Sequence, residues 1–167
     1  MNICGYIPES INEGTGLRAV VFISGCRHGC LGCFSPHTWS FQAGEPFTQA
    51  RQEELLAEMA ANPLLDGLTI AGGDPFFSVA EVADFVESVR RRLPHFSIWA
   101  YTGYTWEQLF SEPDKYLKLL SVCDVLIDGR FVQELRDVSL RYRGSSNQRL
   151  IDVPASLIQQ QAIDWKL

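Results

Sequence analysis

No apolar run in the chain approaches the roughly 20 residues that span a bilayer, and the first residues, Met1-Asn2-Ile3-Cys4-Gly5, lack the basic region and hydrophobic stretch of a secretory leader. The expectation is a cytoplasmic protein with no membrane partner. Positive charge is also short: 14 Lys and Arg against 20 Asp and Glu leave a net charge of -6, which argues against a protein built to grip the nucleic-acid phosphate backbone. Cysteine is scarce and odd in number, five in all. That count excludes a closed disulfide framework and suits a reducing compartment. At 167 residues, with 46% hydrophobic and 20% charged content, the chain is of ordinary globular composition and too short for two comfortable domains.

What the chain does have is concentrated in one stretch. Ser24-Gly25-Cys26-Arg27-His28-Gly29-Cys30-Leu31-Gly32-Cys33-Phe34 places three of the five cysteines within eight residues. Soft thiolates favour iron-sulfur clusters, zinc or copper(I). The spacing is C-x-x-x-C-x-x-C with no fourth cysteine nearby, since Cys4 and Cys123 lie far away in sequence and read as incidental thiols. A ferredoxin-type electron carrier brings a fourth ligand. A four-iron cluster held by Cys26, Cys30 and Cys33 alone leaves one iron open to a ligand. Zinc remains the rival through a Cys3His set that includes His28, although His28 sits closer to Cys26 and Cys30 than ligand pairs usually do. Three unrelated buried thiols fit poorly on a loop punctuated by Gly25, Gly29 and Gly32.

Apolar periodicity predicts short strands over 18–23, 68–71, 97–101 and 125–127. Between them it predicts a helix over 48–61 capped by Thr48, and a second helix opened by the capping box Ser78-x-x-Glu81, with Val82, Phe85, Val86, Val89 and Leu93 on one face. Arg90, Arg91 and Arg92 then suit the negative end of that helix dipole. A short helix capped by Thr105 and another after Pro113 follow. Alternating strands and helices imply an α/β fold with right-handed crossovers and a mostly parallel sheet. Each of the four strands ends in a glycine-bearing turn: Ser24-Gly25-Cys26, Gly72-Gly73-Asp74, Thr102-Gly103-Tyr104 and Asp128-Gly129. In such folds ligands bind at the carboxyl ends of the strands, so these turns are expected to share one rim.

The expected organisation is one domain over 1–167. It comprises an extended lead-in at 1–17, a βα core at 18–128 carrying the cluster loop 24–34, a basic loop at 129–150 and a C-terminal tail at 151–167 with a last strand and short helix. The basic loop holds Arg130, Arg136, Arg141, Arg143 and Arg149, five of the chain's fourteen cations. Its Arg143-Gly144-Ser145-Ser146-Asn147-Gln148 run is rich in donors suited to carboxylates or a partner's main chain. The alternative is a solvated loop whose arginines pair with Asp128, Glu134 and Asp137.

C-x-x-x-C-x-x-C after the first strand and Gly-Gly-Asp after the next resemble the radical S-adenosylmethionine superfamily. Within it, the chain resembles the activating proteins of anaerobic (class III) ribonucleotide reductases over about residues 10 to 149. Further matching pieces are Gly14-x-Gly16-x-Arg18, Phe22-x-Ser24-Gly25-Cys26, Thr38-Trp39, Pro46-Phe47-Thr48, Gly72-Gly73-Asp74-Pro75, Thr102-Gly103-Tyr104, Phe131-Val132, Ser139-Leu140 and the 143–148 run. It departs in having Phe34-Ser35 where Tyr-Asn is common, and Glu13-Gly14-Thr15-Gly16 where Asn-Gly-Pro-Gly is common. Phe34 thus keeps an aromatic face but loses a hydroxyl.

The resemblance implies an open, partial βα barrel in which Cys26, Cys30 and Cys33 hold a 4Fe-4S cluster. S-adenosyl-L-methionine would be bound by the open iron, by Gly72, Gly73 and Asp74 at its amino group, and by Gly32, Cys33 and Phe34 near its adenine. It further implies an oxidoreductase that makes a 5'-deoxyadenosyl radical to install a glycyl radical on the anaerobic reductase, with reduced flavodoxin or ferredoxin as electron donor. The partner is expected to dock on the cluster rim, assisted by the basic segment. Activation of another glycyl-radical enzyme and a non-enzymatic iron-sulfur or zinc module remain the alternatives.

Overall fold

The computed structural model describes residues 1–166. Runs of β-branched and aromatic residues form the centre of a seven-stranded mixed sheet. Its strands are β1 (Asn2–Ser10), β2 (Arg18–Ile23), β3 (Glu45–Pro46), β4 (Gly67–Gly72), β5 (Ser97–Tyr101), β6 (Val125–Asp128) and β7 (Arg149–Asp152), in spatial order β3-β1-β2-β4-β5-β6-β7. The four strands expected from periodicity, β2, β4, β5 and β6, are parallel, in registers such as Val20 with Thr69, Thr69 with Trp99 and Trp99 with Val125. Antiparallel β1 and β7 flank them.

Side chains alternate across a strand, and the two faces of this sheet have different cover. Ala19, Val21, Ile23, Leu68, Ile70, Ile98, Ala100 and Leu126 pack on the helices α1 (Gln49–Ala61), α2 (Val79–Arg92), α3 (Trp106–Phe110), α4 (Pro113–Leu120) and α5 (Val153–Gln159) in one apolar core. On the opposite face Trp99, Val125, Ile127 and Leu150 form a smaller cluster with Tyr101, Tyr142 and Trp165. Among the described residues no helix is long and apolar enough to cross a membrane.

Three local expectations change. The lead-in is a nine-residue strand, β1, paired with β2 through Ile3–Ile23, Tyr6–Val21 and Ile7–Val20. A register shift between Ile7 and Ser10 absorbs Pro8, which cannot donate to a ladder. The Ser78–Glu81 capping box does not form: Ser78 makes no side-chain cap bond, and Glu81 instead pairs with the Met1 ammonium. A reciprocal capping box is present at Thr105 and Gln108, which open α3, while Thr48 caps α1 through the Arg51 amide as expected.

Buried charge pins the sheet at both ends. At the amino ends, Arg18 is fully buried and donates to Thr69 Oγ1, Ser97 Oγ and the carbonyls of Thr15, Leu68 and Ser97. Burial lowers its pKa to about 10. At the carboxyl ends, Asp128 accepts from the Trp106 amide at 2.7 Å and from Arg149, which also donates to Glu107 at 2.8 Å.

Arg149→Ala leaves the Asp128 carboxylate buried with two hydrogen bonds fewer and is expected to cost about 2 kcal/mol in denaturant unfolding. Its hydrogen bond from Arg149 depresses Glu107 from the ordinary 4.5 to about 2, so the stability Glu107 contributes is present above the unfolded value and is lost as pH falls towards the folded one. The stability gap between wild type and Glu107→Gln should therefore stay constant from neutrality down to about pH 4.5 and close below it; a gap already closing near neutrality would contradict this coupling.

Candidate metal centre

The carboxyl ends of the parallel strands are stitched to one another. Gly73 donates to the Ile23 carbonyl at 2.7 Å, Asp74 to the Gly25 carbonyl at 2.9 Å, Thr102 to Ile127 at 2.9 Å and Gly129 to Tyr104 at 2.8 Å. The four turns therefore share a rim. There, on the sheet face opposite the main helical core, lies a cavity of about 570 Å³ whose lining includes Phe22, Ala71 and Tyr101 from the strands. This is the size of an ordinary cofactor or substrate site.

Cys26, Cys30 and Cys33 all line this cavity, and all three are half-buried. Burial pushes the Cys26 thiol up to about 11. It also raises Cys30, against the opposing effects of the Phe131 amide and the Arg130 guanidinium. As bare thiols these two favour the neutral form, and a bound metal centre reverses that preference by its own charge. Among the described residues no three His, Cys, Asp or Glu side chains come together closely enough to share one metal ion. The donor set is three thiols around a roomy cavity, which fits a multi-iron cluster better than a lone zinc ion. His28, the fourth donor of the zinc alternative, also lines the cavity but does not come together with the three cysteines as a ligand set among the described residues; its Nε2 lies 2.7 Å from Asp74 Oδ2.

Gly72 and Gly73 line the cavity beside the start of the cysteine loop. Neither has room for a side chain. A Cβ at Gly72, where φ is +101°, would lie 2.6 Å from the Ile23 backbone, and one at Gly73 would lie 2.4 Å from the Gly25 carbonyl oxygen. Close approach of two backbones thus requires the glycine pair. Phe34 also lines the cavity, with its ring 5.0 Å from that of Phe131.

Two expected site residues do not face the cavity. Gly32 turns towards the basic loop, where a Cβ would meet Gln133 Oε1 at 2.6 Å. Asp74 is 1% exposed, and both its oxygens are taken, by the Phe76 amide on Oδ1 and by His28, Thr102 and Gly103 on Oδ2.

The basic loop closes over the cysteine loop, but its 143–148 run is not a free set of donors. Gln148 Oε1 accepts from the Gly144 and Ser145 amides, its Nε2 donates to the Gly129 carbonyl, and Asn147 donates to the Arg130 carbonyl. Arg149 is spent on Asp128 and Glu107. Arg143 lines the cavity, donates from Nη1 to the Gln148 carbonyl, and keeps a buried Nε with no partner among the described residues. Thr102, Tyr101 and Tyr142 also line it without having been picked out as ligand residues. The turn after β5 and the aromatic pair were visible in the sequence, but only the sheet order brings them beside the cysteines.

Cys4 and Cys123 lie outside the cavity lining. The Cys4 sulfur is 3.0 Å from Ser24 Oγ, and Cys123 is buried, donating to the Leu119 carbonyl.

The protein family described as a 4Fe-4S single cluster domain matches residues 12–151. Among curated proteins, the chain is 40% identical to the anaerobic ribonucleoside-triphosphate reductase-activating protein of Haemophilus influenzae, over 89% of this chain and 96% of that one. It is 36% identical to the protein of that name from Escherichia coli K12, over 89% and 96%, and 37% identical to that of Enterobacteria phage T4, over 90% and 93%. With this cysteine-lined cavity and matches running nearly end to end, the chain belongs to the 4Fe-4S single cluster domain family and to its anaerobic ribonucleoside-triphosphate reductase-activating proteins.

Proposed function

We propose that this protein is a radical S-adenosylmethionine activase of anaerobic ribonucleotide reductase, built as one domain on an open, partial βα barrel. The observation that carries the reading is one cavity lined both by three thiols and by the side-chain-free Gly72–Gly73 backbone. Cys26, Cys30 and Cys33 would hold a 4Fe-4S cluster with one iron free. When bound, the cluster would supply one electron to the sulfonium of S-adenosylmethionine, breaking a carbon–sulfur bond to give methionine and a 5'-deoxyadenosyl radical that would take a hydrogen atom from a glycine of the reductase. Reduced flavodoxin or ferredoxin is the donor this chemistry calls for.

The chain's own residues bind, orient and exclude water. Gly72 and Gly73 offer backbone carbonyls to the ligand's amino group, and Phe34 an aromatic face to its adenine. Tyr101, Phe22 and Ala71 form an apolar floor, and Phe131 and Gly144 pack on Phe34 to narrow the opening.

The mouth also has the character of a docking surface. Leu31, Phe34 and Val138 are 74%, 62% and 86% exposed. Arg27, Arg130, Arg136 and Arg141, on the cysteine loop and the basic loop, make no ion pair among the described residues, and Arg136 lies over the Phe34 ring, whereas five of the six cations on the helices, Arg51, Arg90, Arg92, Lys115 and Lys118, do. Free cations beside apolar side chains suit an acidic, apolar segment of the reductase.

Anaerobically reconstituted, dithionite-reduced protein should give a four-iron electron paramagnetic resonance signal that changes when S-adenosylmethionine is added, and Cys26→Ala, Cys30→Ala or Cys33→Ala should each abolish it. A cluster indifferent to the ligand would favour an electron-transfer module, and bound zinc without iron would favour a structural metal. Arg136→Ala with Arg141→Ala should weaken reductase binding about tenfold, mainly through slower, less salt-dependent association, while leaving the cluster signal intact. Unchanged binding would remove the basic loop from the interface.

A further inference from the structure

Three sequence motifs meet at one buried point. His28 comes from the cysteine loop, Asp74 from the turn after β4, and Thr102-Gly103-Tyr104 from the turn after β5. The side chains of His28 and Asp74 are only 5% and 1% exposed. Asp74 Oδ2 accepts from His28 Nε2 at 2.7 Å, Thr102 Oγ1 at 2.8 Å and the Gly103 amide at 2.9 Å, while Oδ1 accepts from the Phe76 amide at 2.9 Å. The histidine ring is seated by its neighbours: its centroid lies 4.7 Å from that of Tyr104 and 5.2 Å from that of Phe77. A Cβ on Gly103 would sit 2.4 Å from its Cδ2 atom. Thr102 and Gly103 thus donate to Asp74, Gly103 also leaves space for the imidazole, and Tyr104 packs on it.

We propose that His28 is a positioning residue: through its hydrogen bond to Asp74 it fixes the cysteine loop relative to the Gly72–Gly73 turn, and so sets the distance between the open iron and the backbone that grips the ligand's amino group. This rests on the reading of Gly72 and Gly73 as ligand contacts. The physical basis is that a carboxylate out of water holds its donors at short range, because each lost donor leaves uncompensated charge. Cys26 and Cys30 flank His28 at two residues' distance on either side, so movement of the imidazole carries both thiolates with it. A second tie, Asp74 N–H to the Gly25 carbonyl at 2.9 Å, holds the near end of the loop. His28 is the link that holds its middle.

The test separates the ring from the hydrogen bond. His28→Phe keeps an aromatic group between Tyr104 and Phe77 without the donor, and His28→Gln keeps a donor without the ring. Both variants and wild type are reconstituted, their iron content measured, and the reduced signal titrated with S-adenosylmethionine. Iron content and the unliganded signal should be unchanged in His28→Phe, while the ligand-induced change requires about tenfold more S-adenosylmethionine; His28→Gln should recover most of that loss. A His28→Phe titration superimposable on wild type overturns the proposal, as does a loss in His28→Gln as large as that in His28→Phe. If His28→Phe takes up no iron, Gly103→Ala decides, because it displaces the imidazole from the β5 side: a wild-type titration there also overturns the proposal. Absence of any ligand response in wild type would instead overturn the underlying reading of the site.

Discussion

A carboxylate buried in a protein must be surrounded by donors, and the donors it collects determine what is held next to what. Asp74 draws one from the cysteine loop, one from its own turn and two from the turn after β5. Adjacent parallel strands are already hydrogen-bonded along their length, but their outgoing loops are free to diverge. Asp74 removes that freedom for three of the loops around the cavity, the cysteine loop and the turns after β4 and β5. Asp128 repeats the device one strand further on, gathering the Trp106 amide and Arg149 and thereby tying β6, α3 and β7 together. At the opposite edge Arg18 joins the amino ends of β2, β4 and β5 through carbonyls and hydroxyls. The sheet is clamped at both ends by buried ions, and the site is made of what projects beyond one of the clamps.

The clamps also account for residues that pattern alone leaves unexplained. Gly103 occurs where the imidazole of His28 would strike a side chain, and Gly73 where the Gly25 carbonyl would. Gln148, whose sequence context suggests a flexible polar loop, is 9% exposed and joins Gly144, Ser145 and Gly129. In each case a polar or absent side chain serves at least one neighbour outside its own turn: His28, Gly25 and Gly129 respectively.

This is where legibility in the sequence stops. The four parallel strands could be read because each is a short apolar run between glycine turns, and the cysteine loop because its spacing is local. Strand β1 was hidden by Pro8 and by polar residues on an exposed face. The Ser78–Glu81 box has the right spacing but does not form: Ser78 makes no side-chain cap bond, and Glu81 pairs with the Met1 ammonium. Asp74 has the chemistry of a ligand contact, and only its burial among four donors shows that its lone pairs are already used. His28 looked like a marginal metal ligand, a suspicion local spacing could weaken but not replace, since its partner lies 46 residues away. Local periodicity carries elements, whereas pairings between loops require the sheet order.

The same internal stitching bears on what can enter the site. The loop over the cavity is fastened by Gln148, by Ser145 Oγ accepting from the Val132 amide, and by Tyr101 donating to the Tyr142 carbonyl at 2.6 Å. A cover held by several buried and partly buried bonds opens at a cost, so the space between it and the cysteine loop belongs to the fold, and an incoming segment has to match it. On the proposed reading that segment must bring a backbone carbon–hydrogen bond into a cavity lined by Phe34 and Phe131. Glycine alone among the residues presents its α-carbon without a side chain, so on that reading it is the residue that reaches a site beside those two rings with least to accommodate.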